Sequence, residues 1–231
     1  FESEYKIVNG VPVTLIDSWG LEQGKDLEWN QLLQSFLHSR GVEQKVEDWV
    51  HVIIFCINAS SNRIQDFEVN TIKKFIERDF EVVVALTKAS LCSSETINEM
   101  ENVLRKETSR NLVVVPVNSK KETLMSGMEI NQFGRNEIAL AMRRNYLDIL
   151  RKRLPERILR LLEKRIFEYG ANIRNCDKTK GAAELAAKYA KKFWTEDVKD
   201  IIEYELTEAM KSYVSVQTIS MTQKQIFEYE F

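Results

Sequence analysis

The feature that most limits how this chain can fold is an alternation repeated between residues 50 and 117. Val50–Ile57, Val82–Leu86 and Leu112–Val117 are continuous apolar runs of strand length, and between them Phe67–Arg78 and Ser94–Lys106 carry apolar residues at helical spacing. Ser93 or Ser94 supplies a cap for the second of these helices. A strand that is apolar at every position buries both of its faces, and strands that alternate with helices form a parallel sheet covered on both sides. The pattern predicts an α/β fold, a three-layer and mainly parallel sheet.

One antiparallel piece precedes it. Glu4–Val8 and Val11–Asp17 flank Asn9-Gly10, a pair suited to the positive φ angles of a two-residue hairpin turn. The second arm ends at Asp17, followed by Ser18-Trp19-Gly20. Leu21–Leu27 reads as a polar loop, and Glu28–Ser39 as a helix with Leu32, Leu33, Phe36 and Leu37 on one face. Beyond Lys121 the strand signals fade until the last dozen residues, and Met128–Asn131 reads as a loop. A helix is expected over Asn136–Arg153, interrupted or restarted by Pro155, then others over Glu156–Tyr169 and Gly181–Phe193, and a fourth capped by Thr195 and running through Lys211. Residues 1–135 are therefore expected to be the sheet domain and 136–231 a helical C-terminal domain.

Bulk composition narrows the function. With 3 Pro and 8 Gly in 231 residues there is no long flexible linker, and a net charge of −2 gives no global reason to expect a polyanion as partner. Cys56, Cys92 and Cys176 are widely spaced, and His38 and His51 stand in no ligand pattern beside them, which argues against a zinc site. Cys56 lies within an apolar run and is expected to be a buried, reduced thiol. No run has the length of a membrane span and no leader-like segment opens the sequence, so the expected location is cytoplasmic. The chain opens on Phe1 and not on Met, as a piece of a longer protein would.

Three short polar segments follow three apolar strands: Asp17-Ser18-Trp19-Gly20, Thr87-Lys88-Ala89-Ser90 and Asn118-Ser119-Lys120. In an open α/β sheet the ligand crevice lies outside the carboxyl ends of the strands. In these segments, over roughly residues 1–122, the chain resembles the translation-factor class of P-loop GTPases. Asp17 and Gly20 match that family's D-x-x-G motif, Thr87-Lys88-Ala89-Ser90 its [NT]-K-x-D motif, and Asn118-Ser119-Lys120 its S-A-K motif. Cys56-Ile57-Asn58-Ala59, with Arg63 and Ile64, is similar to the septin-, dynamin- and Era-like bacterial members.

The resemblance implies a partial G domain that binds GTP or GDP with Mg²⁺ and hydrolyses GTP as a switch. Asp17 would hold Mg²⁺ through a water, and the Gly20 N–H would meet the γ-phosphate. Lys88 would lay its stem along the guanine plane, Thr87, Ser90 and Lys120 would stand around the base, and main-chain N–H groups near Asn118 and Ser119 would meet the base carbonyl. Two positions depart from the family. Ser90 replaces the aspartate that accepts both guanine N–H groups, which lowers guanine discrimination, and Leu21 stands where Ras-like members keep the glutamine that orients water.

No G-x-x-x-x-G-K-[ST] occurs in the sequence, which opens at the hairpin, after the point where the family's phosphate loop lies. The chain alone is expected to bind nucleotide poorly and hydrolyse it hardly at all. The alternative is a pseudo-GTPase scaffold or interaction module that binds no nucleotide. A haloacid-dehalogenase-like phosphatase using Asp17 as nucleophile needs a second carboxylate two residues on, where Trp19 stands.

Partners are expected at the helical domain. Residues 143–165 are locally basic through Arg143, Arg144, Arg151, Lys152, Arg153, Arg157, Arg160, Lys164 and Arg165, with Leu154, Ile158, Leu161 and Leu162 at helical spacing. The ordinary outcome packs such a stripe on its own domain with the arginines solvated or paired. A rarer one lays it on an anionic membrane, as a peripheral contact, or on RNA.

Overall fold

The computed structural model describes residues 2–8, 11–18, 26–123, 129–175 and 181–229. The Asn9-Gly10 turn, Trp19, Gly20, the 21–25 stretch and Cys176 lie outside these. By internal contacts the chain divides into two units, residues 3–16 with 50–149, and residues 1–2 and 17–49 with 150–231. This division is discontinuous in sequence and differs from a single cut near residue 135.

β1 (Glu2–Val8) and β2 (Val11–Asp17), which belong to the first unit except at Glu2 and Asp17, pair as a separate two-stranded sheet. The main sheet is β3 (Ile53–Asn58), β4 (Val82–Thr87) and β5 (Val113–Val117), all parallel and in the order β3-β4-β5. The register aligns Phe55 with Val84 and Val84 with Val114. Burial follows position in the sheet. The central strand β4 is buried from Val82 to Leu86, whereas β3, paired on one side within this sheet, is only half covered. Cys56 is consequently exposed, correcting the expectation of a buried thiol. The apolar run around it marks a sheet strand but does not report how well each face is covered.

Side chains that alternate along each strand meet helices on opposite faces. Phe55 meets Phe75 of α2 (Asp66–Ile76) edge-on, with centroids 6.5 Å apart. On the other face Val83 and Val115 cluster with Ala141 of α4 (Arg135–Arg174). α2 starts at a reciprocal cap in which the Gln65 N–H donates to Glu68, 2.7 Å away. Ser93 caps α3 (Ser94–Glu107) by accepting from the Thr96 N–H at 3.2 Å, and Ile97, Met100 and Leu104 form its buried face. After β5 the short strands β6 (Glu122–Thr123) and β7 (Glu129–Ile130) pair antiparallel, where the spacing had suggested a loop over 128–131. Gly134 then turns the chain into α4 with φ +87°; a Cβ there would strike the Pro116 carbonyl and lie 2.9 Å from the Val117 Cα, so only glycine fits.

α4 is one unbroken helix of 40 residues with Pro155 inside it, where an interruption or restart was expected. Proline supplies no N–H to the ladder, but Leu154 and Arg157 on either side are both buried, and tertiary packing carries the helix past the break. In the second unit α1 (Asp26–Ser39) buries Trp29, Leu33 and Leu37, while Leu32 of the expected face is exposed. α5 (Gly181–Lys192) continues through a single π turn, Phe193–Asp197, into α6 (Val198–Tyr229). Thr195 is therefore no cap; its hydroxyl donates to the Lys191 carbonyl inside the continuous helix. Tyr204 on α6 is 55% exposed.

Two polar contacts tie this unit together. The Arg157 guanidinium donates to both oxygens of Glu205 on α6, at 2.6 and 2.9 Å, and its third nitrogen donates to the carbonyls of Val42 and Gln44. Both side chains of the pair are buried. At the π turn the Tyr169 hydroxyl donates to Asp197, and the Tyr169 and Tyr189 rings stack 4.3 Å apart.

Removing one partner of a buried ion pair strands the other charge. Arg157→Met is expected to lower unfolding free energy by about 3 kcal/mol or more, and the double change with Glu205→Leu to recover most of it, as read by chemical denaturation. The hydrogen bond to Asp197, together with burial, holds the Tyr169 phenol above its usual range. The neutral phenol donates and the phenolate cannot, so this contribution is present below the unfolded value of about 10 and is lost as pH rises through the folded one. Alkaline unfolding curves should show wild type losing more stability above that point than Tyr169→Phe.

Candidate functional site

The carboxyl ends of the parallel strands meet through short polar turns. The Asn58 side chain, ending β3, accepts from the Ser60 N–H at 3.2 Å and from the Ser60 hydroxyl at 2.8 Å, which winds Ala59–Ser61 into a 3-10 turn. Thr87 ends β4, pairs with Asn58 in register, and donates its hydroxyl to the Ile57 carbonyl at 3.1 Å. Lys88 follows in the left-handed region at φ 56°, and Ala89–Leu91 forms a second 3-10 turn that packs against the first. The ammonium-bearing side chain of Lys88 is exposed, Ser90 is half-buried, and Leu91 is exposed beside them in sequence.

The third tip is closed by a segment that sequence reasoning missed. Asn118 is 3% exposed, and its side-chain N–H donates to the Asn131 carbonyl at 3.1 Å. Its backbone N–H and carbonyl both bond Phe133 at 3.1 Å, and Gln132 donates to the Ser119 carbonyl at 3.0 Å. The Asn118 amide is thus engaged within the fold. Ser119 and Lys120 are exposed, and Lys121 pairs with Glu129 at 2.6 Å. Phe133, 39% exposed, adds an apolar ring beside Asn118. The signal for this closure lay in Phe133-Gly134 immediately before a helix, since a glycine there marks a close backbone approach.

Thr87, Lys88, Ser90, Asn118, Ser119 and Lys120 thus fall at one end of one sheet, with Thr87 and Val117 in direct register. Asp17 is the exposed last residue of β2, in the other contact unit, and Gly20 lies outside the described residues. Among the described residues no group of three or more His, Cys, Asp or Glu side chains is placed to hold a metal. A Mg²⁺ held on one carboxylate, with waters and phosphate oxygens completing its shell, needs no such group.

The basic stripe of residues 143–165 is largely engaged within its own fold. Arg153 and Arg157 are buried, Arg160 pairs with Glu156 and Glu43, and Arg165 lies 3.2 Å from Glu168. No described helix is long and apolar enough to cross a membrane. Comparison with family models, curated proteins and solved structures finds no match to this chain.

Asn118→Ala removes the side-chain bond that holds Asn131 against β5. It is expected to cost about 1–2 kcal/mol and to speed amide exchange at Phe133 ahead of the β4 amides, measurable by hydrogen exchange.

Proposed function

We propose that this chain carries the base-recognising and metal-holding parts of a P-loop GTPase domain of three layers, whose intact form binds GTP and hydrolyses it to GDP as a switch. The observation that carries the reading is the adjacency of two of its motifs. Thr87-Lys88-Ala89-Ser90 and Asn118-Ser119-Lys120 follow neighbouring parallel strands, in register, at the end of the sheet where α/β folds bind ligands. Helices on both faces of the sheet agree with a three-layer arrangement.

In this reading the Lys88 stem covers one face of the purine, while Ser90 and the Ser119 N–H meet its polar edge. A serine hydroxyl offers a weaker acceptor than a carboxylate, so guanine is favoured over adenine by less than a charged acceptor would give. Asp17 holds Mg²⁺ through water, and the metal when bound neutralises phosphate charge. The nucleotide state is relayed to a protein partner through the helical region.

The scaffold alternative draws on two observations: the Asn118 amide is consumed by Phe133, and the sequence holds no phosphate-cradling G-x-x-x-x-G-K-[ST]. Calorimetric titration with GTP, GDP and ATP plus Mg²⁺, on this chain and on one extended upstream, separates the two. The GTPase reading expects micromolar guanine-nucleotide binding in the extended form, weakened about tenfold or more by Lys88→Ala and by Asp17→Ala. No binding in either form leaves the scaffold.

A further inference from the structure

Phe133 is a large apolar side chain left 39% exposed at the carboxyl end of the sheet, among polar strand tips. Its backbone is held on every side. The Phe133 N–H and carbonyl both bond Asn118 at 3.1 Å, Gln132 before it donates to the Ser119 carbonyl, and Gly134 after it lies against Pro116 and Val117. A ring on so fixed a backbone has little freedom left to lose when a flat partner covers it.

Where the ring stands follows from the pairing. The Ile53 N–H bonds the Glu81 carbonyl, so alternation along β4 and β5 turns the backbone groups of Val113, Val115 and Val117 toward β4 and those of Pro116 and Asn118 outward. Phe133 pairs with that outer edge. Val113, Val115 and Val117 carry their side chains on the α4 face, so Asn118 carries its own on the other face, and the ring opposite it shares that side. Lys88 follows Thr87, which is in register with Val117, and the 3-10 turn at Ala89–Leu91 packs against β5. Phe133 is thus two strand spacings, roughly 10 Å, from the level of Lys88, with the exposed Ser119 at the tip between them. That interval takes one flat base with a side chain on each face.

We infer that Phe133 stacks on the purine face opposite the Lys88 stem, an inference that rests on the nucleotide reading above. An aromatic ring holds a base by its π face and does not read its edge. The affinity that Phe133 supplies is therefore common to purines, whereas Ser90 acts on the choice among them.

Calorimetric titration of this chain and of its upstream-extended form with GDP and inosine diphosphate, plus Mg²⁺, tests it, because the two bases share a face and differ at the edge. Phe133→Leu keeps an apolar side chain and removes the π face. It is expected to weaken both ligands about fivefold or more, by the same factor, and Phe133→Tyr to retain wild-type affinity. By NMR the base H8 resonance should move upfield on binding wild type and not on binding Phe133→Leu, a ring-current effect that a merely structural residue would not produce. GDP affinity unchanged by Phe133→Leu, a loss that Phe133→Tyr shares, or an H8 shift equal in wild type and Phe133→Leu overturns the stacking and leaves the GTPase reading in place. No nucleotide binding in either form overturns both.

Discussion

A guanidinium withdrawn from water must have its donors satisfied, and Arg157 meets that demand with two separate pieces of chain. It reaches the carboxylate of Glu205 on α6 and the carbonyls of Val42 and Gln44 beyond α1. The Gln44 carbonyl also accepts from the Trp49 indole at 2.9 Å, and the neighbouring 3-10 turn packs on α6. Apolar packing alone would let helices of this kind slide and rotate at small cost. A planar, two-pronged pair has one geometry, and it sets α4, α6 and the segment at 42–49 together.

The first unit is organised by a different economy. Each parallel strand ends in a residue whose side chain finishes the local hydrogen bonding: Asn58 for its own turn, Thr87 for the neighbouring Ile57 carbonyl, and Asn118 for the returning segment at Asn131. These three are structural parts of the strand ends. Lys88, Ser119 and Lys120 stay exposed around them, so any ligand chemistry at this end falls to side chains that the fold itself does not use.

How much was legible in the sequence depended on how far each signal had to reach. The β3–β5 alternation was readable because each run declares itself within a few residues, and the strand ends shifted by no more than three positions. The fate of Arg157 was not, because its carboxylate partner lies 48 residues away. A basic stripe looks the same whether its arginines turn outward or become the buried centre of a bundle. Pro155 and Thr195 misled for a related reason. Each carries a strong local preference, for a break and for a cap, and each was overridden by helix packing that no short window contains. At the site, the order of the motifs along the chain was visible, whereas the closing of Asn118 by Phe133 needed β5 and a segment 15 residues later to be seen together.

Lys88 holds a backbone shape that most side chains avoid. A β-carbon is crowded in the left-handed region, and the penalty falls on lysine but not on glycine. Folding alone would prefer glycine or asparagine at this corner, and either would relax the turn while deleting the cation that β4 delivers to the end of the sheet. Comfort of the main chain and retention of the positive charge therefore pull against each other at one residue.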